Sequence, residues 1–197
     1  MRSLLKQDGD RLPRCSAERV PARLARLELA AARRAILAPL VQMIETATEQ
    51  IATLDQQLEA RAAADPVVQR LRTVPGVGLV VALTFRAQID EVERFRHAGQ
   101  VSAAIGLVPR EDSSAERRQR GHITKTGSRE LRSLLVQAAW TCWRSKQSAT
   151  LRAWAEQLAA RRGRRIAVVG LARRLSRVLY ALWRDGTTFE TTIVAAA

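Results

Sequence analysis

The chain has 197 residues, 47% of them hydrophobic, with 33 Lys and Arg against 19 Asp and Glu and a formal charge of +14. It is long enough for one or two domains with a real core, and too apolar for a disordered tail. The charge excess points to a polyanion. Most of the basic residues are Arg and they bunch near 110–132 and 161–177, so nucleic acid is expected rather than an anionic membrane. Cys15 and Cys142 are too few and too far apart for a disulfide framework, and His97 and His122 have no metal-ligand neighbours at a useful spacing. No apolar run reaches the roughly 18 residues of a membrane span, because Arg173, Arg174 and Arg177 interrupt the one candidate. The start is charged too early for a signal peptide. A cytoplasmic protein is expected.

Residues 1–22 hold Gly9, Pro13 and Pro21 among charges without an apolar period, and read as an irregular lead-in. From 23 to 66 the pattern is that of one long helix. Leu37, Val41, Ile44, Thr48, Ile51, Leu54 and Leu58 step by three and four, the seam of a coiled coil or of a long bundle helix. Over about three heptads, pairing between chains and packing within one chain are both open. Pro39 kinks this helix or sits in the first turn of a restart, and Asp65-Pro66 ends it.

A compact helical domain is expected over 67–186. It opens with Leu71-Arg-Thr-Val-Pro-Gly-Val-Gly-Leu-Val-Val-Ala, helix pattern on both sides of a glycine turn, which has the form of a helix-hairpin-helix or of an ordinary interhelical turn. In the first form Gly76, Val77 and Gly78 offer backbone N–H groups to a phosphate at the start of the second helix. Asp90, Glu91 and Glu93 form an acidic cluster that could bind a metal, although carboxylates at a helix start more often face the dipole. Val92 and Phe95 read as core.

Gly106-Leu-Val-Pro109 opens a stretch without a clear period, expected to be a short hairpin-like loop. Around Ser113 and Ser114 it carries Arg110, Arg117, Arg118, Arg120, Lys125, Arg129 and Arg132. A serine attacking phosphorus needs its developing charge offset, which a ring of guanidinium groups does, but polar loop serines are also common without such a role. A helix follows from Ser128 to about Lys146, with Leu131, Leu134, Leu135, Ala138, Ala139 and Cys142 on its inward face. Trp140, Trp143 and Trp154 fit core packing better than base stacking. Arg161–Arg165 is a basic hinge before a helix with Ile166, Val169, Ala172, Leu175, Leu179 and Leu182 on one face and Arg173, Arg174 and Arg177 toward the other; phosphate contact and a solvated face are both open there. Asp185-Gly186 ends that helix, and 187–197 read as a loose tail.

Pro-Gly-Val-Gly, then Gly-Leu-Val-Pro-Arg-Glu with a serine pair, then Gly-x-Ile-Thr-Lys-x-Gly-x-x-x-Leu-Arg-x-x-Leu-x-x-Ala-Ala-Trp resembles the C-terminal transposase domain of the insertion-sequence one-ten family, including its eleven-eleven branch. The resemblance runs in order through about residues 68 to 145. It implies a DNA recombinase guided by an element-encoded RNA. In that family an N-terminal RuvC-type domain with four acidic residues holding magnesium works with a C-terminal domain whose serine attacks the strand. On this resemblance Ser114 is the nucleophile and Ser113 the fallback, Gly76 and Gly78 fall on the hairpin turn, and Lys125 and Arg132 on the basic motif facing phosphate. The family's glycine after the serine is Ala115 here, and its Asn at the following helix is Ser128, an equally good cap. Asp8 and Asp10 lie in no strand pattern, so the acidic domain and its Mg2+ are expected in trans and no cofactor is expected within this chain. A homo-oligomer through the long helix is expected, as is a rival role as a non-catalytic nucleic-acid-binding and dimerising module.

Overall fold

The computed structural model describes residues 5–6, 11–111 and 120–189, and it is mainly helical, as the periodicities require. The chain divides into two units, 1–60 and 61–197. In order the helices are α1 (Val20–Leu24), α2 (Ala31–Ala64), α3 (Pro66–Leu71), α4 (Leu79–Ile89), α5 (Ala98–Ala104), α6 (Arg129–Arg144), α7 (Ala149–Arg162) and α8 (Arg164–Asp185). Between α5 and α6 runs a two-stranded antiparallel hairpin of β1 (Pro109–Glu111) and β2 (Arg120–Ile123).

In the first unit, Leu12, Val20 and Leu24 bury against Leu37, with Leu27, Leu29, Val41 and Ile44 packed around them. The expected lead-in is therefore partly folded: Ala17–Arg19 form a turn of 3-10 helix that runs into α1. Its apolar residues are single and separated by charges, so no period announces them. α2 runs through Pro39 without a break. Proline removes one N–H and frees the carbonyl four residues back, and both Pro39 and Ala35 are exposed, where water satisfies the freed group. Of the expected seam, Leu37 is buried and Val41 and Ile44 are half-buried, while Ile51 and Leu54 are 59% and 54% exposed.

In the second unit each boundary has a local cause. Asp65 caps α3, its Oδ1 accepting from Val67 N at 2.8 Å and Val68 N at 3.3 Å, with Pro66 in the first turn where no N–H is needed. Ser128 caps α6 through Leu131 N at 3.1 Å. Gly186, at φ +67°, ends α8 in the left-handed conformation that glycine tolerates best.

Helix α8 is the axis of this unit and packs on α3, α5, α6, α7 and the turn at Val92–Arg94. Leu171, Leu175, Leu179 and Leu182 are fully buried along it. Two buried polar contacts set its rotation: Ser176 and Ser102 of α5 are 3.0 Å apart, and Tyr180 Oη donates to the Phe95 carbonyl at 2.7 Å. Each satisfies a group whose burial without a partner costs about 1–3 kcal/mol. Cys142 is fully buried on α6, and burial raises its thiol pKa, as befits a small core residue. The segment after α8 is tied at its start, since Phe189 N donates to Thr73 Oγ1 at 2.8 Å. No helix among the described residues is long and apolar enough to cross a membrane.

Candidate nucleic-acid interface

Residues 72–78 join α3 to α4 in a tight turn whose apolar members point inward. Val74, Pro75 and Val77 are buried, and Val77 N donates to the Val74 carbonyl at 3.0 Å. Gly76 sits at φ +89°, and a Cβ there would lie 2.5 Å from the Ala138 carbonyl oxygen and 2.7 Å from Cys142 N. The glycine is thus demanded by close approach to α6. The expectation that Gly76 and Val77 present open backbone to a phosphate meets a turn whose first half is pressed into the protein. Gly78 differs: it is exposed, caps α4, and a Cβ built on it would touch nothing within 4 Å. The open part of the turn is Gly78 and the first turn of α4, whose leading N–H groups lack intrahelical partners by construction.

The second element is the hairpin and its base. Pro109 pairs with Ile123 and Glu111 with Arg120, so β2 takes one more residue than β1 over the same span, a bulge. Below it, Thr124 N donates to the Val108 carbonyl at 2.9 Å and Lys125 N to the Gly106 carbonyl at 3.1 Å. Two motif glycines make this possible. A Cβ on Gly106, at φ +77°, would lie 2.3 Å from the Thr126 carbonyl oxygen, and one on Gly127, at φ +68°, 2.0 Å from that of Ala104. The two main chains cross with no room for a side chain, so the hairpin base is fastened to the end of α5.

Arg132 completes the fastening. Its Nη1 donates to the carbonyls of Thr126 at 2.7 Å and Ile105 at 2.9 Å, with longer contacts to Gly127 and Ser128. Arg132, expected to face phosphate, thus spends this nitrogen as a strut under the hairpin. Arg132→Met is expected to lower stability by about 1–3 kcal/mol, the cost of stranding carbonyls that a charged donor satisfied. Hydrogen exchange at Thr124 and Lys125 should speed up before that of α8; unchanged exchange there would remove the strut.

Around this base the basic residues expected at the site divide into three groups. Arg110, Lys125 and Arg129 are exposed on β1, on the strand-to-helix turn and at the first residue of α6, with Lys125 in the left-handed region at φ +59°. Arg120 lies in β2, opposite Glu111. Ser113, Ser114, Arg117 and Arg118 lie outside the described residues. The glycine turn meets α6 at Ala138 and Cys142, about 14–20 Å along the helix from Arg129. Hairpin and turn are thus two features at different levels of one helix. A further basic group was weighed in the sequence only as a face: Arg173, Arg174 and Arg177 are half-buried in a recess with Trp154, a placement that needs two helices to meet. Among the described residues no three His, Cys, Asp or Glu side chains come together to hold a metal ion.

Residues 68–155 match the transposase IS116/IS110/IS902 family. The chain is 34% identical over 158 residues to a probable family 20 transposase of Pseudomonas aeruginosa, covering 79% of this chain and 46% of the relative. It is also 34% identical over 144 residues to the transposase for insertion sequence element IS1111A of Coxiella burnetii, covering 72% and 40%. An uncharacterized 43.6 kDa protein of insertion element IS110 from Streptomyces coelicolor is 27% identical over 160 residues, with 81% and 39% covered. The chain therefore spans less than half the length of these relatives.

Proposed function

We propose that this chain binds DNA and attacks a strand during transposition, with Ser114 as the nucleophile and Ser113 as the fallback. The observation that carries this reading is the hairpin base. Gly106, Gly127 and Arg132 fix the base of the β1–β2 hairpin against α5 and α6, and Arg110, Lys125 and Arg129 stand exposed around that base. A nucleophile gains most when its supports are rigid before substrate arrives. In the proposed step Ser114 Oγ forms a bond to phosphorus, the bond from phosphorus to one strand oxygen breaks, and the serine proton ends on that leaving hydroxyl. Arg110, Arg117, Arg118, Arg120, Lys125 and Arg129 hold the phosphate oxygens, and Gly78 with the first turn of α4 anchors the backbone elsewhere on the duplex.

The step is proposed to need a magnesium-holding acidic domain and a guide RNA that selects the target; both rest on the family. Dimerisation through α2 is supported by exposed Ile51 and Leu54, which continue the seam beyond its buried part. The second reading is a module that occupies nucleic acid without cutting it, for which the exposed Arg110, Lys125 and Arg129 suffice, since contacts to phosphate need no nucleophile.

Trapping decides between them. The full chain is incubated with element-end DNA, guide RNA, magnesium and a separately expressed acidic domain, then run under denaturing conditions. A protein–DNA adduct that survives Ser113→Ala and vanishes in Ser114→Ala is the expected result. Binding that weakens with salt but yields no adduct leaves the module.

A further inference from the structure

Helix α7 lays Trp154 and Leu158, one turn apart, against α8 at Gly170. The approach is close: a Cβ on Gly170 would lie 2.8 Å from Leu158 Cδ2 and 3.4 Å from the Trp154 ring. Arg173, Arg174 and Arg177 follow on the same face of α8, at the three- and four-residue steps that stack side chains on a helix. Together these six residues line an open recess of about 360 Å³ in which no lining residue is acidic.

Three guanidinium groups share this space. The Arg174 guanidinium lies 5.0 Å over the Trp154 ring, and its pKa is lowered first by burial and then by the charge of Arg177. The Nε of Arg177 is buried with no hydrogen-bond partner among the described residues. Drawing like charges together in partly dehydrated surroundings is unfavourable by itself and is relieved when an anion enters. The recess is too small for a duplex, yet it falls within the roughly 300–1,000 Å³ of sites that enclose a small molecule. An indole under a guanidinium is a platform on which an unpaired base stacks, and neighbouring arginines supply the forks for its phosphate.

We propose that the Trp154–Arg173–Arg174–Arg177 recess is a single-strand pocket, seating the phosphate of one unpaired nucleotide with its base against the Trp154–Arg174 pair. The pocket is lined by no residue of the hairpin and does not depend on the chemistry at Ser114. Unpaired RNA and unpaired DNA share the chemistry it recognises.

The test measures affinity of the full chain for three labelled probes: a 12-nucleotide oligouridine, a 12-nucleotide oligothymidine and a 12-base-pair duplex DNA. Each is titrated over a range of salt. Arg174→Gln/Arg177→Gln and Trp154→Ala are each expected to weaken single-strand binding tenfold or more and duplex binding less than twofold. The arginine pair should also flatten the salt slope by about 0.7 for each phosphate no longer neutralised. Arg96→Gln/Arg144→Gln, removing the same charge from exposed positions, should change neither by more than about threefold. Thermal unfolding followed by circular dichroism checks each variant. If Trp154→Ala does not fold, Arg177→Lys, which keeps the charge and removes the fork, should still weaken single-strand binding severalfold. Tighter binding of one single strand assigns the pocket to RNA or to DNA, and equal binding assigns it to unpaired strands of either kind. Equal weakening on single strand and duplex, or no weakening in any variant, overturns the pocket. The readout is affinity and not adduct formation, so failure here is separable from failure of the nucleophile.

Discussion

Gly127→Ala is expected to cost about 3–5 kcal/mol of unfolding free energy, and Gly76→Ala a comparable amount. Two separate penalties meet at each position. A residue other than glycine at positive φ is strained by roughly 1–3 kcal/mol, and the new methyl group would sit 2.0 Å from the Ala104 carbonyl oxygen in one case and 2.5 Å from that of Ala138 in the other. Both obstacles are backbone, so no rotamer change relieves them; α5 or α6 must shift. Gly78→Ala is the matched contrast. With φ at −88° and open space around it, it should lose no more than about 1 kcal/mol, the ordinary cost of alanine at a helix cap. Thermal and urea unfolding measure all three. Similar costs at Gly78 and Gly127 would mean that the close approaches are not those described. If Gly78→Ala folds normally yet loses duplex affinity severalfold, the phosphate anchor lies where the turn is open.

Leu175→Ala should produce the other large effect, a loss of about 3–5 kcal/mol, because α8 touches most of its unit through residues with no exposure and the cavity cannot collapse against several packed helices at once. Against a typical domain stability of about 5–15 kcal/mol, that is enough to leave the second unit near its threshold. Ile166→Ala, on the same helix but 57% exposed, should change stability by less than about 0.5 kcal/mol. Equal destabilisation at the two positions would argue that α8 is not packed as an axis.

The contrast between these leucine and isoleucine positions also marks how far a periodic pattern reaches. Ile166 and Leu175 belong to one apolar stripe in the sequence, yet only the second is interior, because the stripe gives the face of a helix and not the length over which neighbours cover it. The same holds in α2, where one seam is buried at Leu37 and bare at Ile51 and Leu54. Signals written in adjacent residues were legible: Asp65-Pro66 as a boundary, Ser128 as a cap, the hairpin between Pro109 and Ile123, the inward placement of Cys142. Those features depend on hydrogen bonds and dihedral preferences spanning a few residues, so the chain states them locally.

What the chain determined by itself is its helical character, the boundaries marked by Asp65-Pro66, Ser128 and Gly186, and the concentration of arginine around a glycine-bounded hairpin. Tertiary structure alone decided what the motif glycines and arginines are for. Gly76 is needed because α6 passes 2.5 Å from where its side chain would be, and Arg132 turns to carbonyls rather than outward because α5 and the 124–128 turn converge on it. Trp154 and Arg174 become one recess only because Gly170 lets two helices meet. Each of these depends on a distance between segments remote in sequence, and such distances are set by packing, which no local pattern encodes.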